Sequence, residues 1–221
     1  MNCQEAEPLI EGYFDGELDL VRNLEIENER RTEPEINVQR EVGMGEKQHK
    51  LHSPVFFAQR LMLIGIISDS HDDMSSMKKA VDLLTAEKVS YVVHAGDITS
   101  PFTFEILGGL SCPFTGIFGN NDGDKVLLKE KSGGNIHNQP HFMTLSERRI
   151  VVLHEADLVR AFADSGDFDL VIYGHTHSPV IRMQKRALIV NPGKVGRLHN
   201  GESTLAIVDI EKMDARIIRL D

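Results

Sequence analysis

From residue 62 onward, short apolar runs alternate with stretches whose apolar positions recur at helical spacing. "MLIGIIS" (62–68) is a continuous apolar run, short enough for a strand and with no polar face, so it predicts a strand buried on both sides. Within 72–88, Met74, Met77, Val81 and Leu84 recur at helical spacing and predict a helix. "SYVVHAGD" (90–97) and "PFTGIFGNND" (113–122) predict two further strands. Between them, "PFTFEILGG" (101–109) predicts a short helix, with Pro101 in its first turn and glycines at its end. The alternation repeats as a strand in "RRIVVLHE" (148–155), a helix in "ADLVRAFADSG" (156–166) and a strand in "FDLVIYGHTH" (168–177). "ALIVNPG" (187–193), "STLAIVDI" (203–210) and "ARIIRL" (215–220) follow one another without helices and read as hairpin strands, while 123–141 reads as a loop. This order predicts an α/β protein with a mixed or two-sheet core.

Metal-capable side chains fall where the strands end. The first closes on Asp69 and His71, the second on Asp97, and the third on Asn120 with Asn121 and Asp122 beside it; the fourth closes on His154 and the fifth on His175 and His177. Each has an ordinary explanation alone: Asp69 as a helix cap, Asp97 and Asn120 as turn residues, His154 as a hydrogen-bonded histidine. Five successive strand ends carrying them is a different matter, because the carboxyl ends of strands in α/β folds converge where ligands bind. The seven residues exceed the three or four ligands of a single zinc. They suit two metals about 3.5–4 Å apart that share a carboxylate, and Asp97 is the natural bridge. Carboxylate, imidazole and amide donors suit manganese, iron, zinc or nickel. His175 and His177 would point to opposite faces of a continuing strand. The strand must therefore end before them, with Gly174 permitting the turn and Pro179 preventing a regular continuation.

Charge and composition narrow the partners. The 221 residues carry a formal charge of −10, which argues against long nucleic acid or an anionic membrane surface as a partner. Residues 1–61 hold 13 acidic and 7 basic residues, few apolar clusters and no sustained period. They are expected to form an acidic, disordered extension, or to precede a true start at Met62, with the folded domain at 62–221. Cys3 and Cys112 form no paired motif and read as free thiols of a reducing compartment. There is no run of about 18 apolar residues and no basic-then-apolar leader, so a cytoplasmic location is expected.

In this order, "SDSH", "AGD", "GNND", "LHE" and "GHTH" resemble the motif set of the calcineurin-like metallophosphoesterases. The short spacing and "NPGK" (191–194) are most similar to the small bacterial and archaeal phosphodiesterases of the YfcE type. The resemblance spans 62–221. It implies a two-sheet β-sandwich flanked by helices, in four layers α/β/β/α. It implies one metal on Asp69, His71, Asp97 and His177, and another on Asp97, Asn120, His154 and His175, with Asp122 orienting a ligand or bound water. Catalytic roles fall on Asp97, Asn120, Asp122 and His154, in a hydrolysis where a metal-bridging hydroxide attacks the phosphorus of a small, nucleotide-like phosphodiester. Homodimers or homotetramers are also implied, and Phe102, Phe104 and Phe114 would form either their contact or core.

Three positions depart from the family pattern. Asn121 replaces a histidine that in larger members helps protonate the leaving group, which favours substrates with good leaving groups. Glu155 replaces a glycine and Lys194 a serine; both read as solvated loop residues, unless Lys194 and Arg197 contact phosphate. The competing functions are a non-catalytic protein-binding scaffold, as in the retromer subunit of the same fold, and a phosphomonoesterase. All seven ligand positions are filled, which favours an enzyme.

Overall fold

The computed structural model describes residues 62–197 and 202–220. The expected acidic extension, 1–61, and Cys3 lie outside the described residues. The strands are β1 (Leu63–Ile67), β2 (Tyr91–His94), β3 (Phe114–Ile117), β4 (Ile136–His137), β5 (His141–Leu145), β6 (Arg148–Val152), β7 (Leu170–Ile172), β8 (Val180–Gln184), β9 (Ala187–Asn191), β10 (Thr204–Asp209) and β11 (Asp214–Arg219). The helices are α1 (Met74–Ala86), α2 (Thr103–Leu107), α3 (Lys125–Lys131) and α4 (Val159–Ser165). One sheet runs β11-β10-β1-β2-β3-β4 and the other β5-β6-β7-β9-β8. Strands β1 to β4 are mutually parallel, as are β6, β7 and β9.

Strand alternation builds the layers. Ile64, Ile66 and Val93 of the first sheet meet Ile150, Val152, Leu170, Ile172, Leu188 and Val190 of the second in a core between the sheets. The opposite faces of the same strands carry Ile67, Val92, Leu205 and Ile207, which pack under Met77, Val81 and Leu84 of α1 and Leu107 of α2. On the outside of the second sheet, Val151, Val171 and Ile189 pack under Val159 and Ala163 of α4. Both faces of the central strands are buried, which is why their sequences read as continuous apolar runs. The result is the four-layer α/β/β/α sandwich expected. Gly65 marks how closely α1 lies, since a Cβ there would sit 2.4 Å from Leu84 Cδ2.

Several local expectations are corrected. The segment 123–141 is not a loop: it holds α3, capped by Asp124 accepting from Leu127 N, and then β4. The closing strands expected as hairpins do form them, but in two different sheets and with an additional strand, β8. Strand β9 pairs in parallel with β7 and forms a hairpin with β8, whereas β10 and β11 form a hairpin in the other sheet. Strand β8 begins at the residue after Pro179, so this proline starts a regular element instead of ending one. Proline is tolerated there because it lies outside the ladder, at a strand start. Phe104 and Phe114 stack at 6.3 Å and pack on the core, while Phe102 is 63% exposed. No helix among the described residues is long and apolar enough to cross a membrane.

Candidate metal centre

The carboxyl ends of β1, β2 and β3 in one sheet face those of β6 and β7 in the other. The chain leaves most of these ends through left-handed residues: φ is +53° at Asp69, +43° at His71, +58° at Asp97, +64° at His175 and +57° at His177. Side chains other than glycine seldom adopt this region, though aspartate and histidine do so more than most, and such residues cluster at functional sites. Strand β7 ends at Ile172, so the pleat no longer dictates opposite directions for the two histidines. His175 Nδ1 lies 2.8 Å from Asn120 Oδ1, and His177 Nε2 lies 3.2 Å from Asp69 Oδ1. The two imidazoles of "GHTH" therefore address two different groups. Gly174 has no left-handed φ; it is required by close packing, because a Cβ would lie 2.1 Å from Ser68 Oγ, 2.8 Å from Ala95 O and 3.0 Å from Asp69 Oδ2.

Two clusters of donor atoms result. Asp69, His71 and His177 form one, and Asp69, Asp97 and His154 the other, each with its ligand atoms within 4.8 Å of one another. Asn120 Oδ1 joins the second, 2.9 Å from His154 Nε2. Asp97 Oδ2 lies 3.3 Å from His154 Nε2 and 3.6 Å from His71 Nε2, between the two clusters. All seven predicted ligands are thus brought together.

Neighbouring groups hold them in place. Asn121 donates to both oxygens of Asp97, from its backbone N at 2.8 Å and from Nδ2 at 2.8 Å. Asp122 does not reach the cluster. Its carboxylate accepts from Thr99 N at 2.6 Å and Gly119 N at 2.7 Å, tying the loop after Asp97 to the one before Asn120. Asn191 Nδ2 donates to Gly174 O at 2.8 Å and Thr176 Oγ1 at 3.0 Å, which fixes the "GHTH" loop. Ser70 Oγ lies 3.0 Å from Nε2 of the fully buried His94. Glu155 and Arg197 are exposed, as solvated residues would be, but Lys194 is only 5% exposed. Sequence reasoning passed over two supports. His94 is a polar residue inside an apolar strand, a visible signal. Gln139 accepts from His154 N at 2.6 Å and carries no motif.

The electrostatics suit cations. Asp69 is fully buried, and burial pushes its carboxyl above the ordinary value. Burial pushes Asp97 up as well, but hydrogen bonds from His154 and Asn121 outweigh it and hold the group well below the usual carboxylate range. His154 Nδ1 lies 2.8 Å from Ala95 O, which places a proton on that nitrogen and leaves Nε2 aimed at oxygens of Asn120 and Asp97. Burial lowers the His154 pKa, but its hydrogen bonds to Asp97 and the Ala95 carbonyl, with the nearby Asp69 carboxylate, raise it overall. Asp69 Oδ1 and His71 Nε2 are buried with no hydrogen-bond partner. Such atoms are costly unless something pairs with them. Oxygen and imidazole donors without thiolate fit hard or borderline divalent cations.

An α/β/β/α sandwich with imidazole and carboxylate donors gathered at facing strand ends is an arrangement suited to phosphoester hydrolysis. Residues 62–213 match the calcineurin-like phosphoesterase superfamily domain. The chain belongs to this superfamily and is a hydrolase. It is similar to a protein named phosphodiesterase from Methanocaldococcus jannaschii, 32% identical over 166 residues, covering 72% of this chain and 100% of the relative. It is also similar to a probable metallophosphoesterase of Methanothermobacter thermautotrophicus, at 31% identity over 72% of this chain and 92% of the relative. Among solved structures, an archaeal phosphodiesterase superposes with a TM-score of 0.68 at 32% identity, over 72% of this chain and 100% of that one. Zinc-complexed Vps29 of Entamoeba histolytica shares the fold, with a TM-score of 0.54 at 16% identity over 72% of this chain and 100% of that one.

Proposed function

We propose that this chain is a divalent-metal-dependent phosphodiesterase acting on small, nucleotide-like diesters. The observation that carries this is the convergence of seven donor side chains from both sheets on one spot, with Asp69 Oδ1 and His71 Nε2 buried there among one another's charges and without a hydrogen bond. Asp69, His71, Asp97 and His177 would hold one cation, and Asp97, Asn120, His154 and His175 a second, with manganese the first candidate. When bound, such a pair supplies an activated water and stabilises charge on the phosphoryl oxygens. The protein's own part is to hold these donors: Asn121 fixes both oxygens of Asp97, Asp122 ties two ligand loops together, and the Ala95 carbonyl sets the ring of His154. Asn121 is an amide and has no proton to give a leaving group near neutral pH. The reading therefore favours diesters whose leaving group departs unaided, such as aryl or nucleotide esters. The named activity of the archaeal relative supports the same choice. A cytoplasmic domain at 62–221, free of long nucleic acid and assembled as a dimer or tetramer, completes the proposal.

The test uses metal-stripped full-length protein, bis-p-nitrophenyl phosphate and p-nitrophenyl phosphate, with Mn²⁺, Ni²⁺, Fe²⁺, Zn²⁺ or Mg²⁺ restored separately. Diester turnover above monoester turnover, restored by one metal and abolished in His71→Ala and Asp97→Ala, is the expected result. Greater monoester turnover would make the chain a phosphomonoesterase. Two bound equivalents of metal without turnover would favour the scaffold role. Wild-type turnover in either variant would reject the site.

A further inference from the structure

His154 is fully buried and held at several atoms. Its strand, β6, ends at Val152, and Leu153 N still bonds to Ile172 O of β7. His154 O accepts from Gly174 N at 3.1 Å, and its ring Nδ1 is fixed by Ala95 O. Its backbone N–H has left the sheet ladder. The partner it finds is the side-chain oxygen of Gln139, at 2.6 Å, which also lies 3.3 Å from Glu155 N. With N–H, C=O and Nδ1 all committed, the free ring atom is Nε2, directed at Asn120 and Asp97.

Gln139 is well placed for this. It lies on the connection between β4 and β5, the edge strands from which the two sheets begin to face each other. His137 and His141 on either side of it stack at 4.1 Å with their planes 7° apart, which pins the crossing at both ends. In register, His137 lies beside Ile117, three residues before Asn120, and His141 beside Val152, two before His154. The crossing thus spans the two strand ends that supply this half of the site.

We infer that Gln139 is a positioning residue that sets the depth and direction of the His154 ring, and through it the cation affinity of the half formed by Asn120, His154 and His175. The inference rests on the metal-site reading above. Groups that orient a ligand in this way change metal affinity by about 10–100-fold when removed. A side-chain oxygen is suited to the task, because one acceptor can serve two successive N–H groups.

The test compares wild type with Gln139→Met, which keeps the side chain's length and removes the acceptor, and with Gln139→Glu, which keeps an acceptor. Full-length, metal-stripped protein is titrated with Mn²⁺, with free ion followed by electron paramagnetic resonance. The expected result is one class of Mn²⁺ sites weakened about 10–100-fold in Gln139→Met, the other class unchanged, and near-wild-type binding in Gln139→Glu. In metal-free protein, the His154 amide should exchange faster in Gln139→Met and at the wild-type rate in Gln139→Glu. Unchanged Mn²⁺ binding, equal weakening of both classes, an unchanged His154 exchange rate, or a Gln139→Glu variant indistinguishable from Gln139→Met would each overturn the role. Wild type that binds no Mn²⁺ would remove the metal-site reading itself, a result separate from the exchange comparison.

Discussion

His94 gives the domain a pH dependence of stability that can be worked out from its surroundings. It is fully buried in β2 beneath the loop that carries Asp69 and His71, and Ser70 Oγ contacts its Nε2. Burial, reinforced by the nearby His154 and His71 rings and opposed by Asp97, holds its pKa down to about 3 from 6.5. The unfolded chain protonates this histidine near pH 6.5, and the folded chain does so only near 3. A base whose folded pKa is depressed costs the native state nothing above the unfolded value; stability is lost as pH falls below it. The loss runs at about 1.4 kcal/mol per pH unit, or about 2 kcal/mol between pH 7.5 and 5. Against a typical total of about 5–15 kcal/mol this is readily measured. The assay is urea unfolding of metal-stripped full-length protein at both pH values, for wild type and His94→Gln. The chain has no tryptophan, so far-UV circular dichroism is the probe. The variant has its own cost at pH 7.5, so the comparison is of the change with pH at constant m-value. Wild type should lose about 2 kcal/mol more than the variant on acidification. Parallel losses in the two proteins would refute the reasoning, because His94 would then titrate alike folded and unfolded.

Gly174→Ala places a methyl against Ser68 Oγ, Ala95 O and Asp69 Oδ2; it should destabilise by about 1–3 kcal/mol and weaken Mn²⁺ binding, both read in one calorimetric series. Asp169 accepts from Arg149 N and pairs with Arg186. Burial raises its pKa, but these partners lower it overall. Its stabilisation is therefore present above pH 4 and lost as pH falls through the folded value. Asp169→Asn should cost about 1–3 kcal/mol at pH 7, with a gap that closes in acid-unfolding curves as pH falls through the lowered folded value. Asn191→Ala frees the "GHTH" loop and should lower kcat/KM by about 10–100-fold, far more than Thr176→Val. Mn²⁺ at about 100 times its Kd should add about 2.7 kcal/mol; an unshifted melting curve would contradict cation binding to the folded state.

The layers were legible because burial on both faces leaves its mark on the sequence. Ile64, Ile66 and Ile67 in one short run admit no polar face. The ligand set was legible for the opposite reason: each polar group stands where an apolar run stops. What escaped notice lacked such contrast. Strand β5 is an edge strand with partly exposed positions, and its hairpin turns through Ser146 and Glu147, both with positive φ, where the usual signature is asparagine or glycine. Helix α3, Lys125–Lys131, buries only Leu128 and so shows no apolar face, unlike the equally short α4, which buries Val159 and Ala163. Lys194 reads like any loop lysine, and only the packing of its loop against the segment from Ser68 to Asp69, through Val195 N to Ser68 O and Gly196 N to Asp69 O, shows why it is buried. Gln139 could not be found from sequence, because its bond to His154 depends on how an intersheet crossing is placed.

These observations bear on why the donors lie at the junction of two sheets. Asp69, Asp97 and Asn120 come from one sheet, and His154, His175 and His177 from the other, yet neither cluster of donors belongs to a single sheet. His177 meets Asp69, and His154 meets Asn120 and Asp97, across the gap. The same gap is closed by His154 Nδ1 on Ala95 O and by His175 N on Asp69 Oδ2 at 3.1 Å. Left-handed backbone at five of the seven donor residues is unfavourable locally, and it persists because cross-sheet bonds over-determine those loops. Holding donors on rigid strand ends, with the strain confined to the one or two residues beyond each, sets ligand positions more finely than long loops could. It also makes the site sensitive to sheet packing. A change in the interlayer core far from any ligand, at Val152 or Ile172 for example, would shift the second sheet's histidines against the first sheet's carboxylates as a body. On the proposed reading, cation affinity would in this way report how the two sheets are seated, as well as the donors themselves.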